Sequence, residues 1–269
     1  MSALPSDVWP APTATKLPGD ADGLVIVCGS HGGMYAGYLI ARTAARAMVL
    51  NDAGVGRDKA GIGSLRFADT IRMPCVAVAH DSARIGDADD MLLRGRISYV
   101  NEHASALGVE VGMSCNAATR KLARAAPHDA PATYEEARHE EGINPAGLRI
   151  ACIDSVSLVQ EDDAGHIVLS GSHGGVVSGQ RALAIRVQAA AAFYNDAGVG
   201  MDDAGISRLP VLDEMGVPAA TVSSASARIG DGRSTYYDGM ISHCNELAAA
   251  FGIRAGMSAR DAVALVRNL

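Results

Sequence analysis

The sequence predicts an α/β protein made of two parallel-sheet halves, and three observations carry that prediction. A glycine-rich turn, GSHGG, stands at Gly29 and again at Gly171. Each copy follows a short apolar run and precedes a stretch with helical spacing. Matches then continue in order through both halves: NDAGVG at Asn51 and Asn195, AGI at Ala60 and Ala204, SARIGD at Ser82 and Ser226, GMS at Gly112 and Gly256. The offset is 142 residues at the first motif and 144 at the others. A near-constant offset over so many motifs marks a tandem duplication, so both copies should share one fold.

The elements follow from spacing. In the first copy, 24–28 is a β-branched run, 34–47 places Ala, Leu and Ile at helical spacing, and 48–50 is a second apolar run, which together make a βαβ unit. Residues 62–72 suit a helix that Pro74 stops, 75–79 is a third strand, and 91–107 reads as a longer helix ended by Gly108. The second copy repeats the scheme with strands at 166–169, 191–194 and 219–222, and gains two residues in its first helix. Strands alternating with helices imply a parallel sheet covered on both faces. The fold class is therefore α/β, with two Rossmann-like halves related by a pseudo-twofold.

The charged, proline-punctuated segment 124–147, with a short helix at 134–140, reads as a connector between a first repeat at 1–123 and a second at 148–269. Residues 149–171 suggest two strands around an Asp/Gly turn, an antiparallel hairpin, with 15–27 a shorter version in the first copy.

Composition narrows the function classes. Hydrophobic residues make up 48% and charged residues 20% of the chain, a globular balance. The net charge of -7 has no basic stripe, which argues against nucleic acid as a partner. Residues 1–20 lack the basic start and apolar core of a secretory signal, and no apolar run is long enough to span a bilayer. Five scattered cysteines without C-x-x-C spacing fit a reducing cytoplasm and buried thiols. A homo-oligomer stays open.

In a parallel sheet the loops after the strands emerge along one edge, where such folds bind ligands. GSHGG, NDAGVG and SARIGD each follow an expected strand, so they should meet there. The expected proton carriers are His31 and His173, oriented by Asp52 and Asp196, which could instead hold a divalent metal. Ser82 and Ser226 are the candidate nucleophiles of a triad assembled across loops. Ser30 and Ser172 read as helix N-caps, and Asp58 and Asp202 as caps of the helix containing AGI. For the substrate, the amides of Gly32, Gly33, Gly174 and Gly175 would cradle an anion, Asn51 and Asn195 would line the rim, and Arg84 and Arg228 would clamp a carboxylate. The competing reading pairs these arginines with Asp87, Asp231 or Asp52.

These candidates point to an enzyme that acts on a small anionic metabolite by acid–base chemistry, foremost a hydrolase. The alternative is a nucleotide- or phosphate-binding protein, or an NAD(P)-type oxidoreductase. NAD is the weaker expectation as a cofactor, because the glycines run G-x-x-G-G instead of G-x-G-x-x-G. Between the copies His80 and Asp81 become Ser224 and Ala225, and Tyr99, Val100 and His103 become His243, Cys244 and Leu247. Most such changes read as neutral drift; a specialised rim would be marked by His80 and Asp81 in the first copy or by His243 and Cys244 in the second.

Overall fold

The computed structural model describes residues 7–17, 19–181 and 184–267. Two compact units share the chain. Unit 1 comprises Met1–Gly54, Ala60–Glu135 and Gly200–Asp202; unit 2 comprises Val55–Lys59, Glu136–Val199 and Asp203–Leu269.

Unit 1 runs β1 (Val8–Ala11), β2 (Val25–His31), α1 (Met34–Ala41), β3 (Ala47–Asn51), α2 (Gly63–Thr70), β4 (Cys75–Val78), α3 (Ala88–Arg94), β5 (Ile97–Val100), α4 (Glu102–Ala106) and α5 (Cys115–Leu122). The sheet order is β1-β2-β3-β4-β5, parallel except for the last pair. Its central strands are apolar over 25–28, 47–50 and 75–78 because both faces are covered. Val25, Val27, Val49, Val76 and Val78 pack with Met91, Cys115 and Leu122 on one side. Ile26, Cys28, Met48, Leu50 and Cys75 pack with Ile40, Ala68 and Ile71 on the other.

Unit 2 runs β6 (Arg138–Ile143), β7 (Arg149–Ile153), β8 (Ile167–His173), β9 (Ala191–Asn195), α6 (Arg208–Glu214), β10 (Ala219–Val222), α7 (Gly232–Tyr237), β11 (Ile241–Cys244), α8 (Glu246–Ala250) and α9 (Ala259–Leu265). The order is β11-β10-β9-β8-β7-β6, with four parallel strands between antiparallel edges. Two α/β units with mostly parallel sheets are what the repeat predicts.

Four local expectations are corrected. The helix expected at 91–107 is three elements: α3 ends at Gly95, where a Cβ would stand 2.8 Å from Val78 Cγ1, and ISYV then forms β5. Asn101 starts α4 by accepting the Ala104 N–H while its amide donates to the Met73 carbonyl. The helix at 134–140 is replaced over its last residues by β6. The hairpin at 149–171 is a parallel pair, β7 with β8; residues 154–166 supply the dozen or so residues a crossover needs, as two 3-10 turns. In the first copy, β1 likewise pairs parallel with β2.

The fourth correction concerns the second copy's first helix, where the described residues hold only a 3-10 turn, Val177–Gly179. In unit 1, α1 meets α2 where a Cβ on Gly37 would lie 2.8 Å from Ser64 Cβ. The position of Ser64 in unit 2 is Arg208, which is buried. A guanidinium there leaves no room for the close contact that seats α1.

Among the described residues no helix is long and apolar enough to cross a membrane. All five cysteines are unbridged; burial pushes Cys28 up to about 11 and Cys75 and Cys115 up to about 12.

Candidate functional site

In each unit the ends of three adjacent parallel strands gather the repeated motifs. In unit 1, Asn51 is the register partner of both His31 and Val78. Gly32 N–H donates to the Asn51 carbonyl, Asp52 N–H to Val78, and Gly86 N–H to Gly29. Asn51 Nδ2 donates to the Ala83 carbonyl, tying the third motif to the second. Unit 2 repeats each bond through Gly174, Asp196, Gly230 and Asn195. The structure thus brings GSHGG, NDAGVG and SARIGD together at one sheet edge.

The glycines are there for close approach. A Cβ on Gly29 would stand 2.7 Å from both Gly86 C and Pro12 O, and one on Gly32 or Gly174 2.6 Å from the carbonyl oxygen of Gly61 or Gly205. Their amides are spent inside the turn: Gly32 N–H on Asn51, Gly33 N–H on His31 Nδ1 at 3.1 Å, and Gly174 and Gly175 on Asn195 and His173 in the same way. That leaves these amides without the free N–H groups an anion cradle requires. It also fixes the tautomer, since a neutral ring accepting at Nδ1 carries its proton on Nε2. Burial pushes His31 down to about 4, so its ring is neutral near pH 7.

The other candidates divide sharply. Ser82 Oγ donates to the Ala79 carbonyl and accepts the Arg96 N–H; Ser226 does the same with Ser223 and Met240. Both hydroxyl protons are therefore held by the turn, not by a histidine. Ser30 and Ser172 do not cap helices; they accept the N–H of Ala14 and Val156 and anchor the preceding crossover. Arg84 is paired with Asp90 and with Asp87 and Asp202, and Arg228 with Asp231, Asp58 and Asp238. Asp58 and Asp202 are thus ion-pair partners with left-handed backbones, φ 54 and 55°, instead of caps.

Asn51 and Asp52 organise an unusual turn. Ala53, Gly54, Val55 and Gly56 all have left-handed φ, between 48 and 71°, and Ala197 to Gly200 repeat this. A β-branched valine there is strained. Asn51 Oδ1 accepts the Ala53 N–H and Asp52 Oδ1 the Gly54 N–H, and Asn195 and Asp196 do likewise.

Beyond this shared scaffold the first copy adds something the second lacks. Asp52 Oδ1 accepts the backbone N–H of His80 at 3.0 Å and contacts His80 Nδ1 at 2.9 Å. The carboxylate is 4% exposed and the imidazole 30%. Burial alone would raise Asp52, but hydrogen bonds from His80 and Ser98 and the charge of His80 outweigh it and hold the carboxyl below its ordinary range. In unit 2, Asp196 accepts the Ser224 N–H at 2.8 Å and has no ring beside it at that position. Arg96 brackets the His80 turn, its carbonyl accepting the Ala79 N–H and its N–H donating to Ser82. It is exposed, and among the described residues no carboxylate pairs with it; its counterpart is Met240.

His80 is visible in the sequence as a rim residue, but its seat on Asp52 appears only in the structure. The signal was available, because both residues stand just past adjacent parallel strands. Asp90, which pairs with both Arg84 and Arg94, had no such signal: Ser234 and Asp238 occupy the places of Asp90 and Arg94 in the second copy.

Unit 2 has a cleft of about 490 Å³ lined by His139, Asp154, Arg228, Arg233, Tyr237 and Asp238, among others. Burial raises Asp154 despite the N–H groups of Ala137 and Gly232 that it accepts. Among the described residues no group of three or more His, Cys, Asp or Glu side chains could hold a metal. Comparison of the chain with protein-family models, curated proteins and solved structures returned no match.

Proposed function

We propose that the protein is an enzyme that hydrolyses a small carboxylate-bearing molecule, with His80 of unit 1 as the general base. The reading rests on one observation, the Asp52–His80 contact at the end of β3 and β4. A carboxylate bonded to Nδ1 orients the imidazole for Nε2 to take a proton from water, and it stabilises the imidazolium that results. Asp52 is the orienting residue, and Arg96 supplies the positive charge for the substrate's carboxylate, in place of the ion-paired Arg84. His31, neutral and with its proton on Nε2, fits a hydrogen-bond donor to developing negative charge better than a base. Asn51 and the serines maintain the scaffold. The nucleotide-binding alternative draws less support, because the amides of both glycine turns are already used.

The second copy supplies the controls, since Ser224 and Met240 sit on the same backbone bonds. Release of the free amino group from a panel of N-acyl amino acids, and proton release from a panel of dicarboxylate monoesters, are the measurements. His80→Ser should lower kcat by about 10²-fold or more, and Arg96→Met should raise KM with a smaller effect on kcat. Turnover of no panel member, or full activity in His80→Ser, would reject the reading.

A further inference from the structure

Arg208, the first residue of α6, is only 2% exposed. Nη1 donates to the Ala184 carbonyl at 2.8 Å and Nη2 to the Gly175 carbonyl at 2.9 Å. The guanidinium carbon lies 4.5 Å from the centroid of the Tyr194 ring. Among the described residues its partners are two carbonyls and a ring, none an anion, and Nε has no acceptor.

A guanidinium stays charged at any pH the protein meets, and burying it without a counter-charge is costly. Carbonyl dipoles and the ring face offset part of that. The first copy does without it, with Ser64 at this position and Leu50 at that of Tyr194. Tyr194 adds its own donor, the hydroxyl reaching the Ala184 carbonyl at 3.2 Å. One carbonyl oxygen therefore receives a guanidinium N–H and a phenol O–H, the donor set that an oxyanion would accept.

We propose that Arg208 and Tyr194 form an oxyanion-binding site in unit 2, for a carboxylate or a phosphate, in which the Ala184 and Gly175 carbonyls stand in for the ligand's oxygens. The ligand displaces these carbonyls and takes the planar fork, Nε included. The site shares with the proposed function only the charge of the ligand and uses neither His80 nor Asp52.

The test is calorimetric titration of the full chain with sodium phosphate and, separately, sodium malonate, at an ionic strength fixed with sodium chloride. Saturable binding of one of them is expected, weakened at least tenfold in Arg208→Met, which keeps the apolar stem. The two arms tell phosphate from carboxylate. A second readout needs no loss of the residue: the Arg208 Nε–Hε resonance of the native chain, assigned by its absence in Arg208→Lys, should move with the same titration. If Arg208→Met does not fold, this resonance decides alone. No saturable binding of either anion, binding undiminished in Arg208→Met, or an unmoved resonance would each overturn the proposal. Because the readout is binding, its failure leaves the His80 turnover test untouched.

Discussion

A histidine that accepts a backbone N–H at Nδ1 loses that bond when the ring is protonated, and His31 is held this way by Gly33. Its folded pKa, about 4, lies below the ordinary 6.5. The unfolded chain therefore takes up this proton first, so the stabilisation is whole above pH 6.5 and is lost as the pH falls toward 4. Linkage makes this worth on the order of 3 kcal/mol. His31→Asn, which keeps an acceptor for Gly33 and cannot titrate, should flatten the pH dependence of the urea midpoint between pH 6.5 and 4; an unchanged slope would remove His31 as its source. Asp52 adds a lower limb, because its folded pKa is depressed: its contribution is present above the ordinary carboxylate range and fades as the pH drops through the folded value.

At the scale of elements, the repeated glycine turn is a packing device before anything else. A Cβ on Gly171 would meet Gly230 C at 2.6 Å and Asp154 O at 2.7 Å, backbone atoms of two different loops that cannot swing away. Gly171→Ala should cost roughly 3 kcal/mol, as other overpacked sites do, whereas Gly165→Ala, at a left-handed position with open space around it, should cost only about 1 kcal/mol. Equal losses in chemical denaturation would refute the steric account. The same contrast explains what was legible in the sequence. Strands β2 to β4 and β8 to β10 announced themselves as apolar runs, and the duplication doubled every signal. Strand β5 did not, because ISYV lies inside a helical spacing, and the β7–β8 pairing did not, because an Asp/Gly cluster reads equally well as a hairpin turn or a crossover. The rim itself was legible as three motifs after three strands. What each side chain does there was not, since whether Arg84 clamps a ligand or pairs with Asp90 depends on distance alone.

For the whole molecule, the repeat and the compact unit are different divisions of the chain. Val55–Lys59, from the first repeat, belongs to unit 2, where Arg57 N–H donates to the Ser224 carbonyl and its guanidinium to Ser226. Gly200–Asp202, from the second, belongs to unit 1, where Met201 N–H donates to the His80 carbonyl and Asp202 pairs with Arg94. Unfolding either unit therefore strips the other of an ordered segment, and in unit 1 that segment bonds the very residue proposed as the base. Such sharing favours one cooperative transition. Trp9, the sole tryptophan, lies in β1 and reports on unit 1 alone, whereas far-ultraviolet circular dichroism reports on both sheets. Urea curves followed by the two signals should coincide in midpoint and slope. Two separated midpoints would mean that each unit folds without its borrowed segment, and Asp202→Asn would then leave the transition that Trp9 reports unchanged.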